Sequence, residues 1–349
     1  MGFKLILHLR RNVVNTLLKD VSCDKDKQVC TVVGVSGNGP DTLLSAYISN
    51  DGGINWSSKT INRFHLRAGD ISGIVCNSEN NQYCAAVGSG TRAENPNAFA
   101  PIAYTTSNHG NSWALHHLPS FGVSGPLLRA ISCNGDKNQY CTAVGDLFSK
   151  IKSETTFLSY SSTDGGENWT SNVIERYQGL AKITGISCIN NNQACTVVGT
   201  LSGQKSKAVI YSSINGNAWS RYMPPEPDNV DSAFYNVSCS SNNYQCFAAG
   251  SSGGHPIIYK SNDGGGTWIK TFSYSDGIAF KSISCDDTGN YCVALGFGFG
   301  YNTYIYKYFP IIYRSQNGGT TWNHINAYTF LNHKSMPPQI DILQHVSIH

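Results

Sequence analysis

Apolar and polar residues alternate along this chain in short runs, and the runs recur as a unit. A first apolar segment ends in Ser-Cys or Val-Cys, as in Ala130-Ile131-Ser132-Cys133. A polar turn follows, and the chain returns through a second apolar run that mostly ends in Gly, as in Cys141-Thr142-Ala143-Val144-Gly145. After a variable connection comes a segment with Tyr and Ser, a Gly-rich turn and a Trp, as in Tyr160 to Trp169. A short segment after the Trp leads into the next unit. Runs this short, rich in β-branched and aromatic residues and bounded by Gly, Asn, Asp and Ser, predict four strands per unit, A to D. No unit holds a stretch of about 12 residues with helical periodicity, which excludes leucine-rich, tetratricopeptide and ankyrin repeats.

The cysteines and tryptophans count the units. Twelve cysteines form six close pairs: Cys23/Cys30, Cys76/Cys84, Cys133/Cys141, Cys188/Cys195, Cys239/Cys246 and Cys285/Cys292. The offset is seven or eight residues within a pair and 46 to 57 between pairs. Trp56, Trp113, Trp169, Trp219, Trp268 and Trp322 follow the pairs one by one. A period near 50 signals a radial or linear repeat. Six repeats of four short strands predict an all-β, six-bladed β-propeller with four-stranded antiparallel blades, which closes on itself and leaves few free edges. The repeats fall at roughly 20–61, 71–118, 129–174, 184–222, 234–272 and 280–328 of a single domain spanning 1–349. The termini, 1–10 and 329–349, are expected to close the ring, with residues 3–9 as a D-type strand. The alternative is a partial seventh blade built from the two tails.

Ser49-Asn50-Asp51-Gly52-Gly53-Ile54-Asn55-Trp56 resembles the Asp-box, or BNR, motif Ser-x-Asp-x-Gly-x-Thr-Trp. Ser162 to Trp169 and Ser261 to Trp268 match it with Asp164 and Asp263, and Ser315 to Trp322 with Asn317 in the Asp place. Thr106 to Trp113, with Asn108, is weaker, and Ser212 to Trp219 is degenerate because Ile214 stands where Asp belongs. The chain is thus similar to the Asp-box propellers, a superfamily that includes sialidases, sortilin-type receptors and photosystem assembly factor-like proteins. The resemblance implies that each box is a structural hairpin between the third and fourth strands, away from any ligand face. The local chemistry agrees: Asp or Asn bonds its own backbone, Gly supplies positive φ, and Trp covers the turn.

For the cysteines, zinc would need four converging ligands, which two Cys per repeat with no His at a fixed offset do not supply. Free buried thiols remain an alternative. Disulfides fit the pairing best, each clipping the end of strand A to the start of strand B. Six bridges imply an oxidising location: secreted, periplasmic or cell surface. The apolar stretch in Met1 to Arg11 is short for a leader and is better read as a strand.

Composition narrows the function classes. Charged residues are 13% of the chain and the net charge is +3, with basic residues scattered. Nucleic acid is not expected, because it calls for a concentrated basic stripe. No apolar run is long enough to cross a membrane as a helix. No cofactor or metal motif is present, nor a nucleophile elbow or phosphate loop.

Function is expected on the face opposite the boxes, which carries the B–C loops and the D–A links. One candidate there is the aromatic B–C loop of the last repeat, with Phe297, Phe299, Tyr301, Tyr304, Tyr306, Tyr308 and Phe309. Such rings suit sugar stacking or a protein hot spot. A second is a set of arginines, chiefly Arg67, Arg129 and Arg176, with Arg63 and Arg92, since converging guanidiniums bind carboxylates. The histidines (His65, His116, His117, His255) show no metal spacing. A sialidase would need an arginine triad, a Tyr–Glu nucleophile pair and an Asp acid; its early Arg-Ile-Pro motif is absent and Glu is scarce. The expectation is an exported, disulfide-stabilised propeller that binds a protein or glycan ligand without catalysis. The alternative is a sialidase-like glycoside hydrolase.

Overall fold

The computed structural model describes most of residues 16–325; outside the described residues lie 1–15, 37–42, 62–65, 93–98, 121–124, 190–193 and 326–349, with positions 25, 27, 78, 136, 215, 217, 276, 303 and 304. The closing segments expected at 1–10 and 329–349 therefore lie outside them.

The chain is a six-bladed propeller of four-stranded antiparallel sheets. Blade one is β1 (Thr16–Cys23), β2 (Cys30–Ser36), β3 (Leu43–Ser49) and β4 (Ser57–Ile61). Blade two is β5 (Leu66–Cys76), β6 (Cys84–Arg92), β7 (Phe99–Thr106) and β8 (Ala114–His117). Blade three is β9 (Leu127–Asn134), β10 (Tyr140–Ser149), β11 (Glu154–Ser162) and β12 (Thr170–Gln178). Blade four is β13 (Ala181–Ile189), β14 (Ala194–Leu201), β15 (Lys207–Ser213) and β16 (Ser220–Tyr222). Blade five is β17 (Ser232–Cys239), β18 (Cys246–Ser252), β19 (His255–Ser261) and β20 (Ile269–Ser273). Blade six is β21 (Ala279–Cys285), β22 (Cys292–Asn302), β23 (Ile305–Ser315) and β24 (Asn323–Ile325). The first strands of consecutive blades touch one another, so they form the inner wall of the ring.

Apolar faces of adjacent sheets make the core. Val33, Leu44 and Ala46 of blade one pack on Ile71, Ile74, Ile102 and Tyr104 of blade two, and the pattern repeats around the described ring. Seams are also pinned by a repeated polar step. Ser22 Oγ accepts from the Cys76 N–H of the next blade at 3.0 Å. Ser132, Ser187 and Ser238 do the same for Cys188, Cys239 and Cys285. In the polar turns after strand A, Asn81 and Asn138 each donate from Nδ2 to two carbonyls of the preceding blade. Each such bond satisfies a backbone group that the seam buries.

All six cysteine pairs are disulfides, each joining directly opposed residues of the first two strands of one blade, with Cα atoms 4.0–4.1 Å apart. Closing so short a loop contributes about 2.5 kcal/mol by the chain-entropy estimate. Six bridges fit an oxidising compartment.

The turns between the third and fourth strands share one geometry. Asp164 Oδ1 accepts from the Glu167 and Asn168 N–H groups, Ser162 Oγ accepts from the Gly166 N–H, and Trp169 Nε1 donates to the Gly166 carbonyl. Asp51, Asp263, Asn108 and Asn317 occupy the same place in their blades, and Trp56, Trp113 and Trp268 donate as Trp169 does, whereas Trp322 Nε1 is buried with no hydrogen-bond partner among the described residues. In five blades this turn also bonds the disulfide turn of the same blade, as Gly165 N–H does with the Gln139 carbonyl. The two sets of turns therefore share one face. Blade four differs from its sequence reading. Cys195 pairs with Ser213, as Cys141 pairs with Ser162, so Ser213 and not Ser212 stands in the Ser place. The turn to Trp219 is one residue shorter, and Ser212 Oγ instead donates to the Gly265 carbonyl of blade five. Trp219 Nε1 is buried with no hydrogen-bond partner among the described residues.

Candidate functional site at the central channel and its adjoining hairpin

Each inner strand carries a β-bulge at the residue four positions before its first cysteine: Lys19, Ser72, Arg129, Thr184, Tyr235 and Lys281. A bulge twists the strand and re-aims the extra side chain. All six side chains are half-buried, while most of the residues on either side of the bulges are buried. The facing residue on the second strand, four positions after its cysteine, is always Gly: Gly34, Gly88, Gly145, Gly199, Gly250 and Gly296. The bulge drives an inner-strand carbonyl against this position. A Cβ on Gly250 would lie 2.0 Å from the Ala233 carbonyl oxygen, a distance only glycine escapes.

The bulges thus form a ring around the channel, and it is rich in cations. Lys19 Nζ pairs with Asp70 Oδ2 at 3.0 Å. Arg129 forks onto Asp146, with Nε and Nη2 each 2.9 Å from a carboxylate oxygen. Lys281 Nζ lies 3.3 Å from the centre of the Tyr235 ring and 5.4 Å from that of Phe297. Lys182, two residues before the Thr184 bulge, is the fourth cation. Desolvation, then the charges of Arg129, Lys281 and Lys19, hold its ammonium below the usual lysine value, against the opposing pull of Asp146. Lys182 is open to water yet feels cations from three other blades, as a side chain in a narrow channel would.

The aromatic segment is not an irregular loop. Phe297 to Asn302 extends β22 and Ile305 to Phe309 extends β23, pairing Phe299 with Tyr308 and Tyr301 with Tyr306. Gly298 and Gly300 take part in this ladder. Strand β22 runs four residues further beyond its cysteine than β18 does, carrying the hairpin roughly 13 Å further from the blade on the side away from the disulfides. Phe309 packs on the core between blades five and six, and Phe297 is half-buried beside Lys281. Of the ring-bearing candidates between them, Tyr304 and the side chains of Phe299, Tyr301, Tyr306 and Tyr308 lie outside the described residues.

The arginines do not converge. Arg129 is on the inner strand of blade three and Arg176 on its outer strand, where it is exposed and bonds Glu154 Oε1 and Thr156 Oγ1 at 3.3 Å. Three strand spacings, about 14 Å, separate those strands. Arg67 lies in β5 at a further irregularity, with its side chain outside the described residues. Sequence reasoning missed Lys19, Lys182 and Lys281. For Lys19 and Lys281 the signal was positional, a fixed offset from cysteine mirrored by the glycine on the facing strand; Lys182 stands two residues further back and carries no such mark.

Among the described residues there are two Tyr–Glu pairs, both in blade seams. Tyr211 hydroxyl donates to Glu175, which also pairs with Arg221 at 2.7 Å. Tyr259 donates to Glu226, held as well by Ser252 and Lys270. Burial, reinforced by the neighbouring carboxylate, pushes both phenols up, which suits fixed donors rather than nucleophiles. On the disulfide face an open groove of about 620 Å³ lies between blades two and three, lined by Tyr83, His116, Lys137, Asp164 and Glu167. There His116 Nε2 contacts Thr105 Oγ1 at 2.8 Å, and burial holds its imidazole below the usual value against Glu167 and Asp164. Among the described residues no three His, Cys, Asp or Glu side chains are grouped to hold a metal, and no helix is long and apolar enough to cross a membrane.

The fold is shared with structures of distant sequence. A GH74 xyloglucanase from Xanthomonas campestris matches with a TM-score of 0.58 at 14% identity, over 91% of this chain and 46% of that one. This chain thus spans less than half of that enzyme. A protein of unknown function from Dyadobacter fermentans gives 0.57 at 13% identity, over 88% and 96% of the two chains. The periplasmic gluconolactonase of Pseudomonas aeruginosa gives 0.53 at 10%, over 88% of each. No curated protein matches the chain. Residues 102–283, more than half of the sequence, match the family described as the DUF6242 beta propeller domain, and the chain belongs to that family.

Proposed function

We propose that this chain is an exported propeller of the Asp-box type that acts as a non-catalytic binding module, taking a glycan or protein ligand on the face opposite the disulfide turns. The observation that carries the reading is the blade-six hairpin. It is the longest of the described second-to-third strand hairpins and holds aromatic residues at alternate positions, Phe297, Phe299 and Tyr301. Exposed aromatic clusters are tolerated mainly where a partner covers them. Its base joins the cation-lined channel through Phe297 and Lys281.

The hydrolase alternative finds less support. The Tyr–Glu pairs serve the seams, and Arg129 already has its carboxylate in Asp146. The test is a glycan array with wild type and a Tyr301→Ser, Tyr304→Ser, Tyr306→Ser variant, beside a fluorogenic sialoside assay. Binding lost in the variant with an unchanged thermal midpoint is expected, with no sialoside turnover. Turnover abolished by Glu175→Gln or Arg129→Ala would replace this reading with the hydrolase.

A further inference from the structure

The hairpin between the second and third strands of blade three ends in Ser149-Lys150-Ile151-Lys152-Ser153. Strand β10 runs eight residues past its cysteine, against six for β14 and β18, so this tip stands roughly 7 Å further out on the face away from the disulfides. At that tip Ile151 is 98% exposed. The turn that presents it is fixed. Ser153 takes a left-handed φ of 48°, its carbonyl accepts from the Gly179 N–H at 2.7 Å, and Ser149 Oγ accepts from the Lys152 N–H.

Ile151 has apolar company. Thr155 Oγ1 donates to the Gly179 carbonyl at 2.7 Å and accepts from the Ala181 N–H at 3.1 Å, which brackets Leu180, 56% exposed, against it. Phe148, 37% exposed, is the direct partner of Thr155 on β10 and shares its side of the sheet. Phe148, Ile151 and Leu180 therefore gather at one tip. A single exposed apolar residue needs no account, whereas a cluster marks a surface that a partner covers. The charge around it is positive. Lys150 and Lys152 flank Ile151, both exposed and neither with a carboxylate in ion-pair distance among the described residues. Glu154, at the foot of the turn, is already bonded by Arg176 and Gln178.

The shape of the patch says what covers it. This is a projecting tip, not a groove. A folded protein partner must offer a pocket shaped to such a tip, whereas a bilayer interface closes around any apolar group pressed into it. Lysines on either side of an inserted aliphatic side chain lay their stems in the apolar layer and keep their ammonium groups among the phosphates. Three blades further round, the blade-six hairpin reaches further still on the same face. Its sequence combines aromatic residues with Lys307, residue types that settle at membrane–water interfaces. Two projecting hairpins on opposite sides of a channel meet a broad, yielding surface more readily than a compact ligand.

We propose that the face away from the disulfides docks on an anionic lipid surface, with Phe148, Ile151 and Leu180 entering the headgroup layer and Lys150 and Lys152 on its phosphates. This surface stands on the blade-three tip and goes beyond the glycan or protein ligand proposed above.

The test is co-sedimentation of the full chain with vesicles of phosphatidylcholine alone and of phosphatidylcholine and phosphatidylglycerol in equal parts. The mixed vesicles should bind at least about tenfold more tightly, and added salt should weaken that binding. Ile151→Asp, and separately Lys150→Gln with Lys152→Gln, should each weaken it about tenfold at unchanged thermal midpoint. These side chains are exposed and make no hydrogen bond or ion pair among the described residues, so the folds should survive; if one variant does not fold, the other carries the test. Equal binding to the two kinds of vesicle, or undiminished binding in the folded variants, overturns the proposal. Binding to polyglutamate but not to mixed vesicles puts an acidic protein in place of the bilayer and also overturns it. Vesicle binding lost in the tyrosine triple variant but kept in both blade-three variants overturns the assignment of the tip. Vesicle binding lost in the blade-three variants while array binding is kept supports it and separates this surface from the ligand site.

Discussion

Gly88 sits so close to Asp70 that a Cβ on it would lie 1.9 Å from the Asp70 carbonyl oxygen. The contact is backbone to side chain, so no rotamer change relieves it. Gly88→Ala and Gly250→Ala should each lose at least about 1–3 kcal/mol, the usual cost of overpacking. Gly203→Ala, whose nearest contact is an ordinary 3.4 Å to the Lys205 carbonyl, is the control and should be near neutral. Denaturant midpoints decide it; equal midpoints for all three variants would mean that the bulges do not set the channel wall.

Peptide mapping without reductant should recover six bridges, all within blades, and none such as Cys30 to Cys76. Removing one pair, Cys188→Ser with Cys195→Ser, should cost about 2–5 kcal/mol and leave the fold intact. Cys188 and Cys195 belong to the apolar core between blades three and four, but the remaining residues of that core, the core on the other side of blade four and the backbone seam bonds stay in place. Loss of all folding would show that the bridges hold more than local hairpins.

The sequence carried the blades because the same chemistry recurs six times. A cysteine pair, a Ser-Cys step, a Gly and a Trp each occupy fixed offsets, and one blade's ambiguity is settled by the next. Irregularity is what hid. The inner strands run back past the polar residue at the bulge, so Lys19, Ser72 and Arg129 interrupt the apolar run and make these strands look shorter than they are. In blade four, the missing residue before Trp219 aligns Ser212 with the box serine by count, although hydrogen bonding selects Ser213. Arg129 and Arg176 share a residue type but sit on opposite edges of a sheet, which no linear spacing reports. The aromatic stretch read as a loop because its glycines look like breakers, yet the facing strand continues the ladder through them.

The box carboxylates predict an acid response. Backbone and side-chain hydrogen bonds from Asn55 lower Asp51 to about 2. Burial acts to raise Asp164, but the Asn168 and Ser162 donors outweigh it and bring it to about 2. Asp263 is lowered by the same competition, with Ser261 and Thr267 as donors. A carboxyl depressed on folding contributes stability above its unfolded value, near 3.8, and that contribution disappears as pH falls toward 2. Asn108 and Asn317 already make equivalent bonds without charge. Replacing Asp51, Asp164 and Asp263 by Asn should therefore flatten the loss of thermal stability between roughly pH 5 and 2. An unchanged slope would assign the acid response to other groups.

The two arginines of blade three should separate cleanly. Arg176 is exposed, and Arg176→Ala should cost less than about 1 kcal/mol. Arg129→Ala strands Asp146, whose side chain is only 9% exposed, and should approach about 3 kcal/mol, the lower end for breaking a buried pair. Chemical denaturation of both variants distinguishes them. A cost for Arg176→Ala equal to that of Arg129→Ala would mean that burial does not govern these pairs.

Placing every bridge inside a blade has a mechanical consequence. Covalent bonds shorten the chain only at the first hairpin of each sheet, and between blades the wall is joined by side-chain packing and by single bonds such as Ser22 to Cys76. Pulled from its ends, the molecule should shed sheets one at a time, each keeping only the turn between its first two strands closed. Force–extension traces should show a sawtooth of near-equal steps, each lengthened by only a few residues when the bridges are reduced. The ring gives way at its seams while every blade keeps a covalent clasp.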